Sequence, residues 1–149
     1  MPAATLQPPG VLETALYCSD LDAAERFYRD IIGLHLVSKQ PGRHVFFRCG
    51  EGMLLLFNPD ATAEPAAQMA GPVVPRHGAH GPGHVAFRLP ERDIERWRTH
   101  LATRVQLEAE VHWPQGGYSL YLRDPAGNSI ELATAAVWGL DEPSVPGGA

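Results

Sequence analysis

Alternating apolar and polar positions, broken by turns that contain glycine and proline, divide the chain into two halves with the same order of elements. In the first half, this period of two predicts strands over residues 11–18, 34–39, 43–49 and 53–57. Between the first two strands, apolar residues recur at helical spacing, with Ser19 as the predicted N-cap and Gly33 as the predicted stop. The first half is therefore predicted to be a strand, a helix and three strands.

The second half repeats this order. Strands are predicted over residues 83–89, 106–113, 118–123 and 128–134, with a helix from Pro90 to about Arg104. The residues between the halves lack periodicity, as is typical of a linker or a functional loop. We predict an α+β fold of two tandem βαβββ modules, at 11–58 and 83–135, within one structural domain. A flexible segment at 1–10, a linker at 59–82 and a C-terminal tail at 136–149 complete this organisation.

Side-chain parity predicts candidate metal ligands on one face of each of three strands. Successive side chains of a strand point to opposite faces of the sheet. In the strands that begin near residues 11, 83 and 128, one face is apolar and the other carries small residues and one potential ligand. These potential ligands are Glu13, His84 and Glu131. If the three faces meet across a cleft, the side chains converge. The first-half equivalent of Glu131 falls within residues 54–56, which are all leucine.

One imidazole and two carboxylates form a mixed nitrogen and oxygen ligand set. Such a set suits manganese, iron(II), nickel, cobalt, zinc or magnesium, and the ligands alone do not choose among these ions. Three protein ligands leave coordination positions open, as catalytic metal sites require. A histidine beside a turn is often structural, however, and a glutamate between apolar neighbours can simply face solvent. Both interpretations stay open at this point.

Composition and charge argue against several classes of function. The chain has 149 residues and a formal net charge of −5 at pH 7, with a pI near 5.7, whereas a nucleic-acid-binding surface needs basic residues. No apolar run approaches the roughly 20 residues that span a bilayer, and the N-terminus lacks the pattern of a signal peptide. The two cysteines, Cys18 and Cys49, do not indicate a disulfide framework. We therefore expect a cytoplasmic protein with free thiols and with neither nucleic-acid nor membrane partners.

Several motifs in both halves match a known family. The first half contains Ser19-Asp20-Leu21, Phe27-Tyr28-Arg29-Asp30 and Leu34. The second half contains Gly83-His84-Val85-Ala86-Phe87 and, as the most specific motif, Arg123-Asp124-Pro125-Ala126-Gly127-Asn128-Ser129-Ile130-Glu131-Leu132. With these motifs, over about residues 11–135, the chain resembles the vicinal oxygen chelate superfamily. This superfamily includes glyoxalases, fosfomycin-resistance enzymes, bleomycin-binding proteins and extradiol dioxygenases.

The resemblance implies that the modules form one incomplete, cupped mixed β-barrel around a divalent metal ion, with the helices outside. His84 and Glu131 match ligand positions of the family. Glu13 falls where the family commonly has histidine or glutamine, which weakens the case for dioxygenase chemistry with its two histidines and one carboxylate. Three ligands are closer to the fosfomycin-resistance arrangement than to the four-ligand glyoxalase pattern. The resemblance also implies a homodimer, without deciding whether modules pair within one chain or across the dimer.

The family's common step is bidentate binding of two neighbouring substrate oxygens to the metal ion, which stabilises an anion as a Lewis acid does. We therefore expect a metal-dependent small-molecule enzyme of the glyoxalase or fosfomycin-resistance type. Glu13 or Glu131 could leave the metal ion and act as a general base. The expected pocket walls, including two arginines placed to bind an anionic substrate, are His44, Phe46, Arg48, Ser119, Tyr121 and Arg123.

Three other functions compete with this one. A metal-free drug-binding protein of the bleomycin-resistance type would use an aromatic cleft, for which Trp113 and Trp138 are the available tryptophans. An extradiol-type dioxygenase and an accessory domain without chemistry are the other two. His77 and His80, on the long loop, are expected to be surface residues rather than a cover for the site. The substrate is not selected by any feature of the sequence.

Overall fold

A computed structural model describes residues 1, 5–64 and 73–143 of the chain. The chain divides into two compact units, unit 1 (Met1–His80) and unit 2 (Gly81–Ala149). Parts of the predicted N-terminal segment, linker and C-terminal tail, namely residues 2–4, 65–72 and 144–149, lie outside the described residues. The predicted grouping of both modules into one structural domain stays a prediction. None of the helices in the described part of the chain is both long and apolar enough to span a membrane.

Unit 1 contains a four-stranded mixed sheet in the order β1-β4-β3-β2. Its strands are β1 (Glu13–Tyr17), β2 (His35–Gln40), β3 (His44–Cys49) and β4 (Gly52–Phe57). β1 pairs in parallel with β4, and the other neighbours are antiparallel. Helix α1 (Leu21–Arg26) continues into a π-helical turn (Phe27–Ile31) and connects β1 to β2.

The ends of the helices in unit 1 differ in detail from the predictions. Asp20, not Ser19, caps α1, because its Oδ1 accepts the backbone N–H of Ala23 at 3.0 Å. Gly33 has a φ of +83° and follows the helical segment as predicted. A short helix, α2 (Pro59–Ala63), occupies the start of the predicted linker. Asn58 caps it by accepting the N–H of Asp60, and a proline in the first turn suits its start.

Unit 2 repeats the arrangement with its sheet in the order β5-β8-β7-β6. Its strands are β5 (His84–Arg88), β6 (Ala109–His112), β7 (Tyr118–Arg123) and β8 (Ser129–Ala133). A 3-10 turn (Glu91–Asp93) leads into helix α3 (Ile94–Ala102), and another (Ala135–Trp138) follows the last strand. β5 pairs in parallel with β8, as β1 does with β4.

One face of each sheet is apolar and buried. In unit 1 this face carries Leu16, Val45, Phe47, Leu54 and Leu56, all less than 5% exposed. In unit 2 it carries Phe87, Leu120, Leu122, Ile130 and Leu132. Each buried side chain of this size contributes about 1.5–3 kcal/mol relative to an exposed one. The element order and the two mixed sheets confirm the predicted α+β class with two βαβββ modules.

Candidate functional site

The other face of the unit 2 sheet carries the two ligand candidates of that half. Strand register sets Ala86 of β5 opposite Glu131 of β8, and Glu131 opposite Tyr121 of β7. Directly opposed residues share a face, and His84 shares the face of Ala86 because it lies two residues away. We define the site face as the surface formed by His84, Ser119, Tyr121 and Glu131. The structure thus brings together two of the three ligand candidates.

The imidazole of His84 faces the carboxylate of Glu131. His84 Nε2 lies 3.2 Å from Glu131 Oε2, and His84 Nδ1 lies 3.0 Å from the backbone oxygen of Ser129. A carbonyl oxygen can only accept a hydrogen bond, so Nδ1 carries a proton in this contact. In a neutral imidazole, Nε2 then presents a lone pair to a carboxylate oxygen. A shared cation, or a second proton on the ring, satisfies such a pair of acceptors.

This donor pair fits a divalent metal ion. An ion about 2.1 Å from each of two donors at a right angle holds those donors about 3 Å apart, close to the observed 3.2 Å. A hydrogen bond from the other ring nitrogen to a backbone carbonyl is the usual way to orient a ligating histidine. Within the described residues, no group of three or more His, Cys, Asp or Glu side chains is arranged to hold a metal ion. The pair by itself therefore supplies two donors.

Glu131 is a buried carboxylate with its own hydrogen-bond donors. It is 7% exposed, and Ser119 Oγ donates to its Oε1 at 2.6 Å. Trp113 Nε1 donates in turn to Ser119 Oγ at 2.9 Å. Burial, and then the hydrogen bond to Glu131, raise the pKa of Tyr121. Glu131 is thus not a solvent-facing residue. Trp113 was expected to be available for stacking on a ligand, and its indole N–H is hydrogen-bonded within unit 2.

The turn that carries the most specific sequence motif holds the start of β5. Asp124 Oδ1 accepts the backbone N–H groups of Ala126 and Asn128 at 2.9 and 2.8 Å. Asn128, which is 1% exposed, uses its side-chain oxygen to accept the N–H of Gly83 at 2.7 Å. Since Gly83 directly precedes His84, this turn ties the histidine to the strand that carries its carboxylate partner.

Arg123, a predicted substrate-binding arginine, is held in an ion pair. Its Nε and Nη2 atoms donate to the two carboxylate oxygens of Glu108 at 2.6 and 2.9 Å. The hydrogen bond from this guanidinium lowers the pKa of Glu108. Binding of an anionic substrate by Arg123 would therefore require this pair to open, whereas Arg48 lies exposed on β3.

Equivalent register positions in unit 1 carry different side chains. Glu13 is the first residue of β1, as His84 is the first residue of β5. Leu55 occupies in β4 the register position that Glu131 occupies in β8. The register thus selects Leu55 from the three leucines of 54–56. Glu13 is an exposed side chain in unit 1, whereas the His84 and Glu131 pair belongs to unit 2.

Aromatic side chains cover this face of unit 1. The ring of His44 stacks on Phe46 with centroids 4.0 Å apart, and Phe57 makes edge contacts with Phe46 at 5.3 Å and with His77 at 4.7 Å. The hydroxyl of Tyr17 lies 2.7 Å from His77 Nδ1. We define the aromatic face as Tyr17, His44, Phe46, Phe57 and His77. The expectation that His77 is an ordinary surface residue is therefore wrong.

His80 differs from His77. It is exposed, and its Nε2 lies 3.5 Å from the carboxylate of Asp60, as expected for a surface residue. Burial, and then the charge of Arg43, lower the pKa of His44. An Arg43 nitrogen lies 2.8 Å from His44 Nδ1. The guanidinium can only donate, so Nδ1 accepts and the proton of the neutral ring is on Nε2.

A cavity of about 610 Å³ lies in unit 2 beside α3, β6 and β7. Its charged groups are largely paired with one another, since Arg98 contacts both Glu95 and Glu110. The Tyr118 hydroxyl also donates to Glu110. Burial, followed by this hydrogen bond, raises the pKa of Tyr118 to about 12. Neither His84 nor any other residue of the site face lines this cavity.

Comparison with known proteins places these observations in a family context. The family model described as the Glyoxalase/Bleomycin resistance protein/Dioxygenase superfamily matches residues 10–132. A solved structure of lactoylglutathione lyase from Agrobacterium tumefaciens is 47% identical to this chain, with a TM-score of 0.82. The match covers 89% of this chain and 98% of that chain. The search of curated proteins found no match.

More distant solved structures share the fold. The fosfomycin resistance protein FosX from Mesorhizobium loti is 18% identical, with a TM-score of 0.59 over 87% of this chain and 94% of that chain. A glyoxalase/bleomycin resistance protein/dioxygenase from Nocardioides is 22% identical, with a TM-score of 0.63 over 97% and 92% of the two chains.

Proposed function

Because the chain belongs to the glyoxalase/bleomycin resistance protein/dioxygenase superfamily, we propose that it is a divalent-metal-dependent lyase or isomerase of the glyoxalase type. The observation that carries this proposal is the 3.2 Å approach of His84 Nε2 to Glu131 Oε2. The second His84 nitrogen is already hydrogen-bonded, so this approach sets two acceptors side by side. A shared metal ion turns that unfavourable contact into a ligand pair.

In this proposal, His84 and Glu131 would hold the metal ion, and Glu13 is kept as the third ligand on the strength of its strand parity and the family resemblance. The bound ion supplies Lewis acidity to two neighbouring substrate oxygens. Glu131 is suited to remain in place, because it is 7% exposed and accepts a hydrogen bond from Ser119 Oγ at 2.6 Å. Glu13 is exposed at the start of β1, so its carboxylate is the better candidate for accepting a proton from substrate carbon.

The proposed substrate class is a thioester or hemithioacetal of glutathione. A lactoylglutathione lyase that is 47% identical over 89% of this chain supports this choice. The hemithioacetal of a 2-oxoaldehyde, and the 2-hydroxyacyl thioester that is its isomer, each carry oxygens on adjacent carbon atoms, as bidentate binding needs. We also propose that the enzyme is cytoplasmic and homodimeric, and light scattering of the purified protein tests the dimer.

The central test measures metal content and turnover together. Protein purified without a histidine tag is analysed before and after reconstitution with manganese, iron(II), nickel, cobalt, zinc or magnesium. It is then assayed for thioester formation from glutathione and a 2-oxoaldehyde. We expect one divalent ion per site and turnover that a chelator abolishes and an added ion restores. Less than about a tenth of an equivalent after reconstitution would contradict the metal-dependent function, because a built site binds its ion far more fully.

The second candidate function is metal-free binding of a flat apolar molecule. The aromatic face of unit 1 favours it, since four rings and a partly buried tyrosine hydroxyl are the chemistry of a small-molecule pocket. Under this alternative, a doubly protonated His84 pairs with Glu131 without a metal ion. Tight drug binding to the chelated protein, combined with no turnover after metal reconstitution, would favour this candidate over the enzyme.

A further inference from the structure

Behind the candidate ligand Glu131 lies a chain of two hydrogen bonds. Ser119 is fully buried on β7, at a position diagonal to Glu131 in the register of β7 and β8. Its Oγ lies 2.6 Å from Glu131 Oε1 and 2.9 Å from Trp113 Nε1. Trp113 follows β6, the edge strand next to β7.

The direction of both hydrogen bonds follows from the groups involved. An indole N–H can only donate, so Ser119 Oγ accepts from Trp113. An ionised carboxylate can only accept, so the single hydroxyl proton of Ser119 points to Glu131 Oε1. Along these two hydrogen bonds, the proton order is therefore Trp113 to Ser119 to Glu131 while Glu131 is charged.

This order makes the two oxygens of Glu131 unequal. Oε1 is engaged by Ser119, whereas Oε2 faces the imidazole of His84. A carboxylate whose far oxygen is hydrogen-bonded is oriented to offer its near oxygen alone. Groups that hydrogen-bond to a metal ligand from behind typically change metal affinity by about 10- to 100-fold when removed.

We propose that Ser119 is a positioning residue that fixes Glu131 as a one-oxygen metal ligand, and that Trp113 reports occupation of this ligand through the same hydrogen-bond chain. This inference rests on the proposed metal-dependent function. A bound cation draws charge from the Glu131 carboxylate, which weakens the Ser119 hydrogen bond and alters the polarity at the indole N–H. Tryptophan emission responds to that change.

Zinc titration followed by tryptophan emission tests the proposal, because Zn²⁺ has a filled d shell and does not quench as paramagnetic ions do. We expect the emission of the wild-type protein to change with zinc, and Ser119→Ala to bind zinc about 10-fold more weakly. In Trp113→Phe the emission change is lost although zinc, measured by chelator competition, still binds, only more weakly because Ser119 Oγ has lost the indole donor that orients it. Trp138→Phe is the matched control, since Trp138 is 81% exposed, and it keeps the emission change.

Each outcome is decisive for one of the two ideas. Wild-type zinc affinity in Ser119→Ala overturns the positioning role, and an emission change that persists in Trp113→Phe overturns the reporter role. Should Ser119→Ala fail to fold, Trp113→Phe, altered at a residue that is 36% exposed, must still weaken zinc binding, and unchanged affinity there overturns the proposal. A wild-type protein that binds none of the six ions overturns the proposed function as well. Normal binding with insensitive variants overturns this inference alone.

Discussion

Units 1 and 2 have the same strand order and the same pairing, yet their equivalent faces differ in chemistry. In unit 2, the register position opposite Tyr121 holds the buried carboxylate of Glu131 with its donors. In unit 1, the matching position holds Leu55, opposite Phe46 of the aromatic face. The backbone of this module therefore accepts either a polar pair or an apolar surface at one place.

The two units differ in the free-energy cost of burying the residue at this position. Burying a carboxylate is unfavourable unless hydrogen bonds or a counter-charge compensate, and unit 2 provides Ser119, Tyr121 and His84 for that purpose. Unit 1 has no such cost at Leu55, and its rings pack on one another instead. At this position unit 2 thus has a hydrogen-bonded polar group, and unit 1 has an apolar contact.

Removal of the charge at Glu131 is expected to have the largest effect. Glu131→Gln keeps the shape and still accepts from Ser119, but it loses the negative charge that a divalent ion requires. We expect metal affinity to fall by more than the roughly 100-fold that an outer-shell change can cause, measured by calorimetry. Glu108→Gln, an exposed carboxylate in the same unit, is the control. Full metal retention in Glu131→Gln would show that this residue is not a ligand.

Truncation of Phe57 is expected to destabilise unit 1. Phe57 is 6% exposed and contacts the rings of Tyr17, Phe46 and His77, so Phe57→Ala should cost about 3–5 kcal/mol of unfolding free energy. Urea denaturation measures this loss, with Phe57→Leu as a milder control. A Phe57→Leu variant as stable as the wild-type protein would mean that the aromatic contacts add little.

Introduction of a carboxylate at the unit 1 position sharpens the comparison. Leu55 is 8% exposed, and Leu55→Glu places a charge opposite Phe46 without a counterpart to Ser119. We expect a loss of about 2–3 kcal/mol relative to Leu55→Met, because the new group lacks compensating donors. Chemical denaturation in the presence of chelator measures the difference. Unchanged stability would indicate that this face tolerates charge as readily as the site face.

The smallest expected effect is a dependence of stability on pH through His44. Its pKa in the folded protein is lowered from 6.5 by burial and by Arg43, so the unfolded chain binds a proton more readily. Stability from this group is present above pH 6.5 and is lost as pH falls toward the lowered folded pKa. His44→Phe keeps the ring but removes the titration. Denaturation at several acidic pH values should show a shallower loss in His44→Phe, and parallel curves would contradict this assignment.

Most of the fold follows from local patterns in the sequence. The period of two located all eight strands to within about three residues, because each strand has one apolar face. The sequence could not decide between Ser19 and Asp20 as the N-cap of α1, since both residue types cap helices well. The helix at Pro59–Ala63 was missed because its cap and its proline lie in a stretch without periodicity.

Only part of the candidate site could be predicted from the sequence, for a different reason. Parity alone placed His84 and Glu131 on compatible faces, and the register adds the distance between them. Ser119 and Tyr121 were expected to line a pocket, a role that stays a prediction. Their contacts with Glu131 depend on the register of β7 and β8, in which Tyr121 lies directly opposite Glu131 and Ser119 lies diagonal to it. Trp113 was the last residue of the predicted strand 106–113, but β6 ends at His112, so the alternation of that strand does not apply to its side chain.

The pairing of β5 with β8 has a consequence for when His84 and Glu131 come together during synthesis of the chain. β5 has β8 as its sheet neighbour. The hydrogen bond from the backbone N–H of Gly83 to the side-chain oxygen of Asn128 joins residues 45 positions apart. β5 therefore cannot dock until the last strand of its unit has left the ribosome. Contacts over such distances form late and slowly, because loop closure precedes any gain from them. The contact between His84 and Glu131 is thus a property of the finished unit, absent from any nascent chain that ends before β8.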